Sequence, residues 1–347
     1  MGRKYTRKYI FIFVALLVFG TGFSAFDTFS KRMRSENTVL PSLPLSGDGF
    51  FFSAAGDFGN NANADKVLRA IGKTNSSFTL ALGDLGYVGN GNESGWCEFV
   101  KDRVGDEHPF EIIAGNHDDG STDGNILAYR KCLPNKINNV VGEYGIEYYF
   151  DYENLARIIL ISPDIATYGF SYTEGSSHLQ WVIDTIRDAK DKQIPWVILG
   201  MHKNCITPGV KNCEIGPDLL NEAVRNGVDI ILQGHEHAYF RSKQLFLNTN
   251  TCPVIVVSSY NESCIANDGN ELRKGAGTVI IISGAGGYEL RPVNINDPEL
   301  GYFSSINSSD NFNAYGFSLF TVKEDELDIS FFPTTGDFED TFRIARY

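Results

Sequence analysis

Five short apolar runs in this chain each end in residues able to bind a metal, and this constrains the fold more than any other feature. Phe50 to Ala55 runs into Gly56-Asp57, Phe78 to Leu82 into Gly83-Asp84, and Phe110 to Ala114 into Gly115-Asn116-His117. Trp196 to Leu199 then runs into Gly200-Met201-His202, and Val228 to Leu232 into Gly234-His235, with His237 two residues beyond. Continuous apolar runs of this length suit strands covered on both faces. In an α/β sheet, ligand crevices form beyond the carboxyl ends of the strands, so residues distant in sequence meet there.

Helical stretches separate the runs. They are Ala64 to Gly72, His178 to Lys190 with Leu179, Val182, Ile183 and Ile186 on one face, and Pro217 to Asn226, which starts with proline and ends before glycine. Tyr144 to Ser162 reads as a hairpin turning at Glu153-Asn154. The tail after Val254 is strand-rich, with Val279 to Ser283 and a hairpin from Tyr315 to Phe332 turning at Glu324-Asp325-Glu326. The sum is a mixed α/β fold in which strands of both halves pack face to face under helices. Its 347 residues would suit one large domain or two small ones, and nothing in the pattern marks a cut.

The start of the chain is different. Arg3, Lys4, Arg7 and Lys8 precede an uncharged, mostly apolar run from Tyr9 to Phe26 that ends at Asp27. This is the order of an export segment, and its length suits either a cleaved signal peptide or an uncleaved membrane anchor within residues 1–34. A buried helix of the domain is the remaining reading. Residues 35–48, with Pro41 and Pro44, read as a linker, leaving 49–347 as the folded domain. Six cysteines follow the apolar segment: Cys97, Cys132, Cys205, Cys213, Cys252 and Cys264. An even count in an exported chain reads as three disulfides, and neighbours in sequence form the simplest of the possible pairings. An extracytoplasmic location follows, and the Asn-x-Ser sequons at Asn75, Asn92, Asn261 and Asn307 are compatible with it.

Charge narrows the partners. The formal net charge is −13, and residues 1–34 hold seven Lys/Arg against one Asp, leaving 23 basic and 42 acidic groups in the remainder. Such a surface repels the nucleic-acid backbone, so no nucleic acid is expected as a stable partner, and any phosphate must be held locally by metals or a few placed donors. The strand-end residues supply that means. Asp57, Asp84, Asn116, His202, His235 and His237 are too many ligands for one open catalytic ion, whereas two ions roughly 3.5 to 4 Å apart sharing a carboxylate would use them all. Carboxylates with imidazoles favour iron, manganese or zinc over magnesium or calcium.

The stretches GDFG at 56–59, GDLGY at 83–87, GNHD at 115–118, LGMH at 199–202 and GHEHAYFR at 234–241 resemble the five ordered motifs of the calcineurin-like metallophosphoesterases. Within them the chain is most similar to the purple acid phosphatases, over about residues 50–335, including GTVIIISGAGG at 277–287. Gly59 stands where many relatives carry a His, and Tyr87 lies three residues after Asp84, as in the purple subfamily; a core or rim aromatic is the other reading of Tyr87. The resemblance implies a four-layer α-β-β-α sandwich of two mixed sheets. It implies one metal held by Asp57, Asp84, Tyr87 and His237, with iron(III) favoured. It implies a second held by Asp84, Asn116, His202 and His235, taking iron(II), zinc or manganese. His117 would face the substrate and Asp118 would orient it. A hydroxide on the metals would attack phosphorus without a phosphoenzyme.

The chain also departs from the family. Phe240 replaces a common Glu, Leu199 replaces a usual Val, and the large plant-type members' extra sandwich domain has no counterpart before Gly49. Lys203 and Glu236 read as rim or supporting groups or as substrate contacts, His108 and His178 as surface residues, and 88–109 and 119–145 as rim loops. The expected function is that of an exported, monomeric phosphatase acting on small phosphate monoesters at acid pH. The alternatives are a phosphodiesterase or nucleotidase, or a non-catalytic metal-binding surface protein.

Overall fold

Each apolar run becomes a strand. In chain order the elements are β1 (Gly49–Ala55), α1 (Ala62–Ile71), β2 (Phe78–Ala81), α2 (Glu93–Val104), β3 (Phe110–Ile112), α3 (Ile126–Cys132), β4 (Val141–Glu143), β5 (Glu147–Tyr152) and β6 (Ala156–Ile161). They continue with α4 (Ser177–Asp191), β7 (Trp196–Met201), α5 (Pro217–Arg225), β8 (Ile230–Gln233), β9 (Tyr239–Ser242), β10 (Gln244–Leu245), β11 (Ile265–Asn267) and β12 (Glu271–Arg273). β13 (Val279–Ser283), β14 (Phe303–Asn307), β15 (Gly316–Lys323), β16 (Glu326–Pro333) and β17 (Asp340–Ala345) complete the chain. The computed structural model describes residues 49–346 except 166, 167 and 169. The export segment expected at 1–34, its apolar run 9–26 and the linker 35–48 lie outside the described residues. Among the described residues no helix is long and apolar enough to cross a membrane.

Two large mixed sheets form. One runs β12-β17-β16-β15-β1-β2-β3 and the other β14-β9-β13-β8-β7-β6-β5-β4. β1, β2 and β3 are parallel, as are β6, β7, β8 and β13, so their carboxyl ends point the same way within each sheet. The sheets bury a common core of Phe52, Phe78, Phe150, Ile158, Ile198, Leu232, Ile281 and Phe320. Phe52 stacks on Phe320 at 4.3 Å and on Phe78 at 5.1 Å between ring centres. On the outer face of the first sheet, Val67, Leu68, Trp96, Val100 and Tyr129 of α1–α3 pack down. On that of the second, Val182, Ile186, Leu219 and Ala223 of α4 and α5 do the same. The result is the four-layer α-β-β-α sandwich.

Local chemistry sets the boundaries. The Asn61 side chain caps α1 by accepting from the Asn63 and Ala64 amides, and Ser176 caps α4 through the Leu179 amide. Pro217 opens α5. The β5–β6 turn places Glu153 and Asn154 at φ 50° and 55°, the left-handed pair that a tight hairpin needs. The three disulfides join Cys97 to Cys132, Cys205 to Cys213 and Cys252 to Cys264, the sequence-neighbour set.

Three expectations need correction. Residues 93–104 and 126–132, expected within rim loops, are helices α2 and α3, tied together by Cys97–Cys132. His108 is not a surface residue: it is half-buried against Thr79 Oγ1 at 2.7 Å, and burial, with Lys136 nearby, pushes its pKa down to about 4. His178 is also partly buried, and its Nδ1 lies 2.9 Å from a Glu147 carboxylate oxygen.

Candidate metal centre

The strand ends of the two sheets meet in one cluster. Beyond β1, the Gly56 amide donates to the Ser283 carbonyl at the end of β13 at 2.8 Å, drawing the sheets together. Asp57 follows, its Oδ2 accepting from the His235 amide at 2.8 Å. Asp84 follows β2, and its Oδ1 accepts from the His117 amide at 2.8 Å. Asp57, Asp84, Tyr87 and His235 have φ of 58°, 50°, 50° and 68°. This left-handed backbone costs on the order of 1 kcal/mol or more per non-glycine residue and concentrates at functional sites. Gly115 is required by close approach: a Cβ there would lie 2.1 Å from Asp84 Oδ1.

Two donor groups share one carboxylate. Oxygens and nitrogens of Asp84, His202 and His235 converge on one side, and those of Asp57, Asp84 and His237 on the other, all buried. Tyr87 joins the second group, its Oη 2.9 Å from Asp84 Oδ2 and 3.4 Å from both Asp57 Oδ1 and His237 Nε2. The side-chain oxygen Asn116 Oδ1 is buried without a hydrogen-bond partner.

The three imidazoles are turned for coordination. His202 Nδ1 donates to the Leu82 carbonyl at 2.8 Å, His237 Nδ1 to the Glu289 carbonyl at 2.8 Å, and His235 Nε2 to Glu214 Oε1 at 2.8 Å. With their outward nitrogens so occupied, His202 Nε2 and His235 Nδ1 face each other at 3.1 Å, and His237 Nε2 faces Asp57 Oδ1 at 3.4 Å. Facing lone pairs, clustered carboxylates and an unpartnered amide oxygen are the donor set of a cation site. Asp57, Asp84, Tyr87 and His237 could hold one ion and Asp84, Asn116, His202 and His235 a second.

Burial and mutual charge shift the titration of the clustered groups. Burial pushes Asp57 up to about 8, with Asp84 adding to it. Burial also opposes ionisation of Asp84, but His202 and His117 together outweigh it and hold Asp84 well below the ordinary carboxylate range. Burial alone would lower His202; Asp84 overrides it and raises His202 to about 9, while burial lowers His235 to about 4 and His237 to about 3. Burial and the neighbouring acids push the Tyr87 phenol up.

His117 and its expected partner separate. Asp118 is buried, and its carboxylate accepts from the Leu85 amide at 3.0 Å and the Gly115 amide at 2.9 Å, so it ties the loops after β2 and β3 together. His117 Nδ1 instead donates to Asp123 Oδ2 at 2.6 Å, with Nε2 toward Asp84 at 3.9 Å and the ring 4.7 Å from that of Tyr87. The His117 ring thus bonds Asp123 and not Asp118, whose carboxylate two backbone donors already claim.

Sequence reading also missed Glu214, which no motif marks. Lys203 and Glu236 are supporting groups. Lys203 pairs with Asp164 at 2.7 Å and Glu214 at 2.9 Å, and buried Glu236 accepts from the Lys211 amide at 2.6 Å. Phe240 is buried and packs edge-on against Phe303, and the orientation of His237 rests on a main-chain carbonyl, so the departure at 240 leaves the cluster intact.

A family model described as calcineurin-like phosphoesterase matches residues 52–239, which hold Asp57, Asp84, Tyr87, Asn116, His202, His235 and His237. The chain belongs to that family. Among its relatives, probable purple acid phosphatase 20 of Arabidopsis thaliana is 22% identical over 212 residues, 56% of this chain and 47% of that protein. An uncharacterized protein of Mycobacterium tuberculosis is 26% identical over 266 residues, 71% of this chain and 48% of the other. The chain thus spans about half the length of the curated relatives it matches. The solved purple acid phosphatase PPD1 from yellow lupin seeds superposes with a TM-score of 0.64 at 18% identity, covering 87% of this chain and 55% of that one. GAP50, described as the anchor in the inner membrane complex of Plasmodium, superposes at 0.51 and 13% identity, covering 86% and 90%. At these identities the solved structures show the fold.

Proposed function

We propose that this purple acid phosphatase-like hydrolase is an exported enzyme that removes phosphate from small monoesters at acid pH. In this reading Asp57, Asp84, Tyr87 and His237 hold iron(III), and Asp84, Asn116, His202 and His235 hold iron(II), zinc or manganese. Asp84 carries the reading: one carboxylate common to two buried donor groups, with a phenol oxygen 2.9 Å away. A pair of bound ions supplies Lewis-acid charge on phosphate oxygens and lowers the pKa of water.

The chain's own residues do the rest. His117 has its Nδ1 proton engaged by Asp123, which leaves Nε2 for the substrate, and the ring is about one-third exposed at the mouth of the cluster. It would donate to a phosphoryl oxygen or to the leaving oxygen as charge develops there. The stack of Tyr87 on Tyr288 at 3.8 Å fixes the phenol and walls one side. Asp118 holds the His117 loop without touching its ring. An imidazole presented in this way favours an enzyme over a metal-binding surface protein, which has no use for it. Export is supported by the three disulfides and by the segment at 1–34.

The test is the metal content and visible spectrum of the full chain, followed by turnover of 4-nitrophenyl phosphate and bis(4-nitrophenyl) phosphate at acid and neutral pH. Two ions, a tyrosinate-to-iron band and acid monoesterase activity that collapses in His117→Ala are expected. A colourless zinc or manganese protein preferring the diester would overturn the monoesterase reading and leave the two-metal hydrolase.

A further inference from the structure

Between β7 and α5 the chain makes a loop whose ends are fastened together. Cys205 and Cys213 close it, and the Glu214 amide donates to the Asn204 carbonyl at 2.9 Å, so the chain leaves the ring beside its point of entry. Glu236 holds the interior, accepting from Thr207 Oγ1 at 3.2 Å and the Lys211 amide at 2.6 Å. This delivers the Glu214 carboxylate to the cluster. Oε1 accepts from His235 Nε2 at 2.8 Å, and Oε2 pairs with Lys203 at 2.9 Å; Lys203 is itself held by the Asp164 carbonyl and carboxylate at 2.9 and 2.7 Å.

His235 differs from its partners in this dependence. His202 and His237 are oriented by main-chain carbonyls, at Leu82 just past β2 and at Glu289 in the segment after β13, whereas His235 is oriented by a side chain from a separate loop. We infer that Glu214 is a positioning residue for the half of the centre formed by Asp84, Asn116, His202 and His235, and that the Cys205–Cys213 clip sets how tightly that half keeps its ion. A carboxylate on the outer nitrogen of an imidazole fixes the ring and makes the inner nitrogen a better donor, typically worth 10- to 100-fold in metal affinity. The inference rests on the two-metal reading above.

The test loads the full chain with zinc, counts the ions by elemental analysis, and follows their release into EDTA. In Glu214→Ala one ion should leave about 10- to 100-fold faster while the other leaves at the wild-type rate. Glu214→Gln, which can still accept from His235, should fall between, and Cys205→Ser/Cys213→Ser should shift the same ion. Circular dichroism of each variant separates these effects from unfolding. Release of both ions from Glu214→Ala at wild-type rates, or an equal acceleration of both, overturns the inference. A wild-type chain that binds fewer than two ions overturns the reading beneath it, and that failure is visible before any variant is made.

Discussion

His117 Nδ1 and Asp123 Oδ2 are 2.6 Å apart, while Asp118, the immediate neighbour of His117, turns its carboxylate to two main-chain amides. Asp123→Asn should therefore act on the chemistry through His117. Turnover of phenyl and alkyl phosphates, whose leaving oxygens need a proton, should fall about 100-fold, in line with general acid catalysis, and 2,4-dinitrophenyl phosphate should be nearly unaffected. Equal losses for good and poor leaving groups would sink this role.

Asp118→Ala should give the opposite signature. Removing a buried carboxylate that accepts from the Leu85 and Gly115 amides should cost about 2 to 3 kcal/mol in denaturant titration. Turnover should drop to a similar extent for every leaving group, because the loop carrying His117 loosens as a unit.

Tyr87→Phe removes the oxygen 2.9 Å from Asp84 but keeps the ring stacked on Tyr288 at 3.8 Å. The thermal midpoint should stay close to wild type, while an iron-loaded variant loses its visible band. A band that survives the substitution would place the colour, and the iron, elsewhere.

Glu111 in β3 should make stability depend on pH. Its carboxyl is buried, with one oxygen accepting from the Lys136 amide at 3.2 Å and the other without a partner, and burial pushes its pKa from the ordinary 4.5 up to about 7. Between those values the native state binds more protons than the unfolded chain, so this group's contribution falls as pH rises from 4.5 to 7 and stays low above. Glu111→Gln should remove that slope and stabilise the protein at alkaline pH by up to about 3 kcal/mol, measured by urea titration across pH. An unchanged slope would mean that the carboxyl ionises freely.

Residues at strand ends were legible because their position follows from local pattern. An apolar run that stops at Gly-Asp or Gly-His fixes both the strand and the place where its last side chain emerges, and Asp57, Asp84, His202, His235 and His237 meet where that logic puts them, joined by Tyr87, which the family resemblance marked. Asp123 and Glu214 were not legible, because each reaches its histidine through a loop path that no period encodes. The path to Glu214 depends on a disulfide and on a buried glutamate 22 residues further on. Helix α2 was hidden because its first turn holds Gly95 and a buried Glu93, which leaves a short stripe of Trp96, Val100 and Val104 to mark it.

The acids of the cluster come from the first sheet and the imidazoles from the second, so ions held between Asp57 or Asp84 and His202, His235 or His237 would add a rivet to two sheets already joined by apolar contact, by backbone bonds such as Gly56 to Ser283 and by the buried Arg241–Asp340 pair. Such a cross-link spans well over a hundred residues of sequence, as the longest-range covalent staple would. Chelation would then withdraw a fastener together with a Lewis acid, and the left-handed backbone at Asp57, Asp84, Tyr87 and His235 would lose one of the interactions that offset its cost.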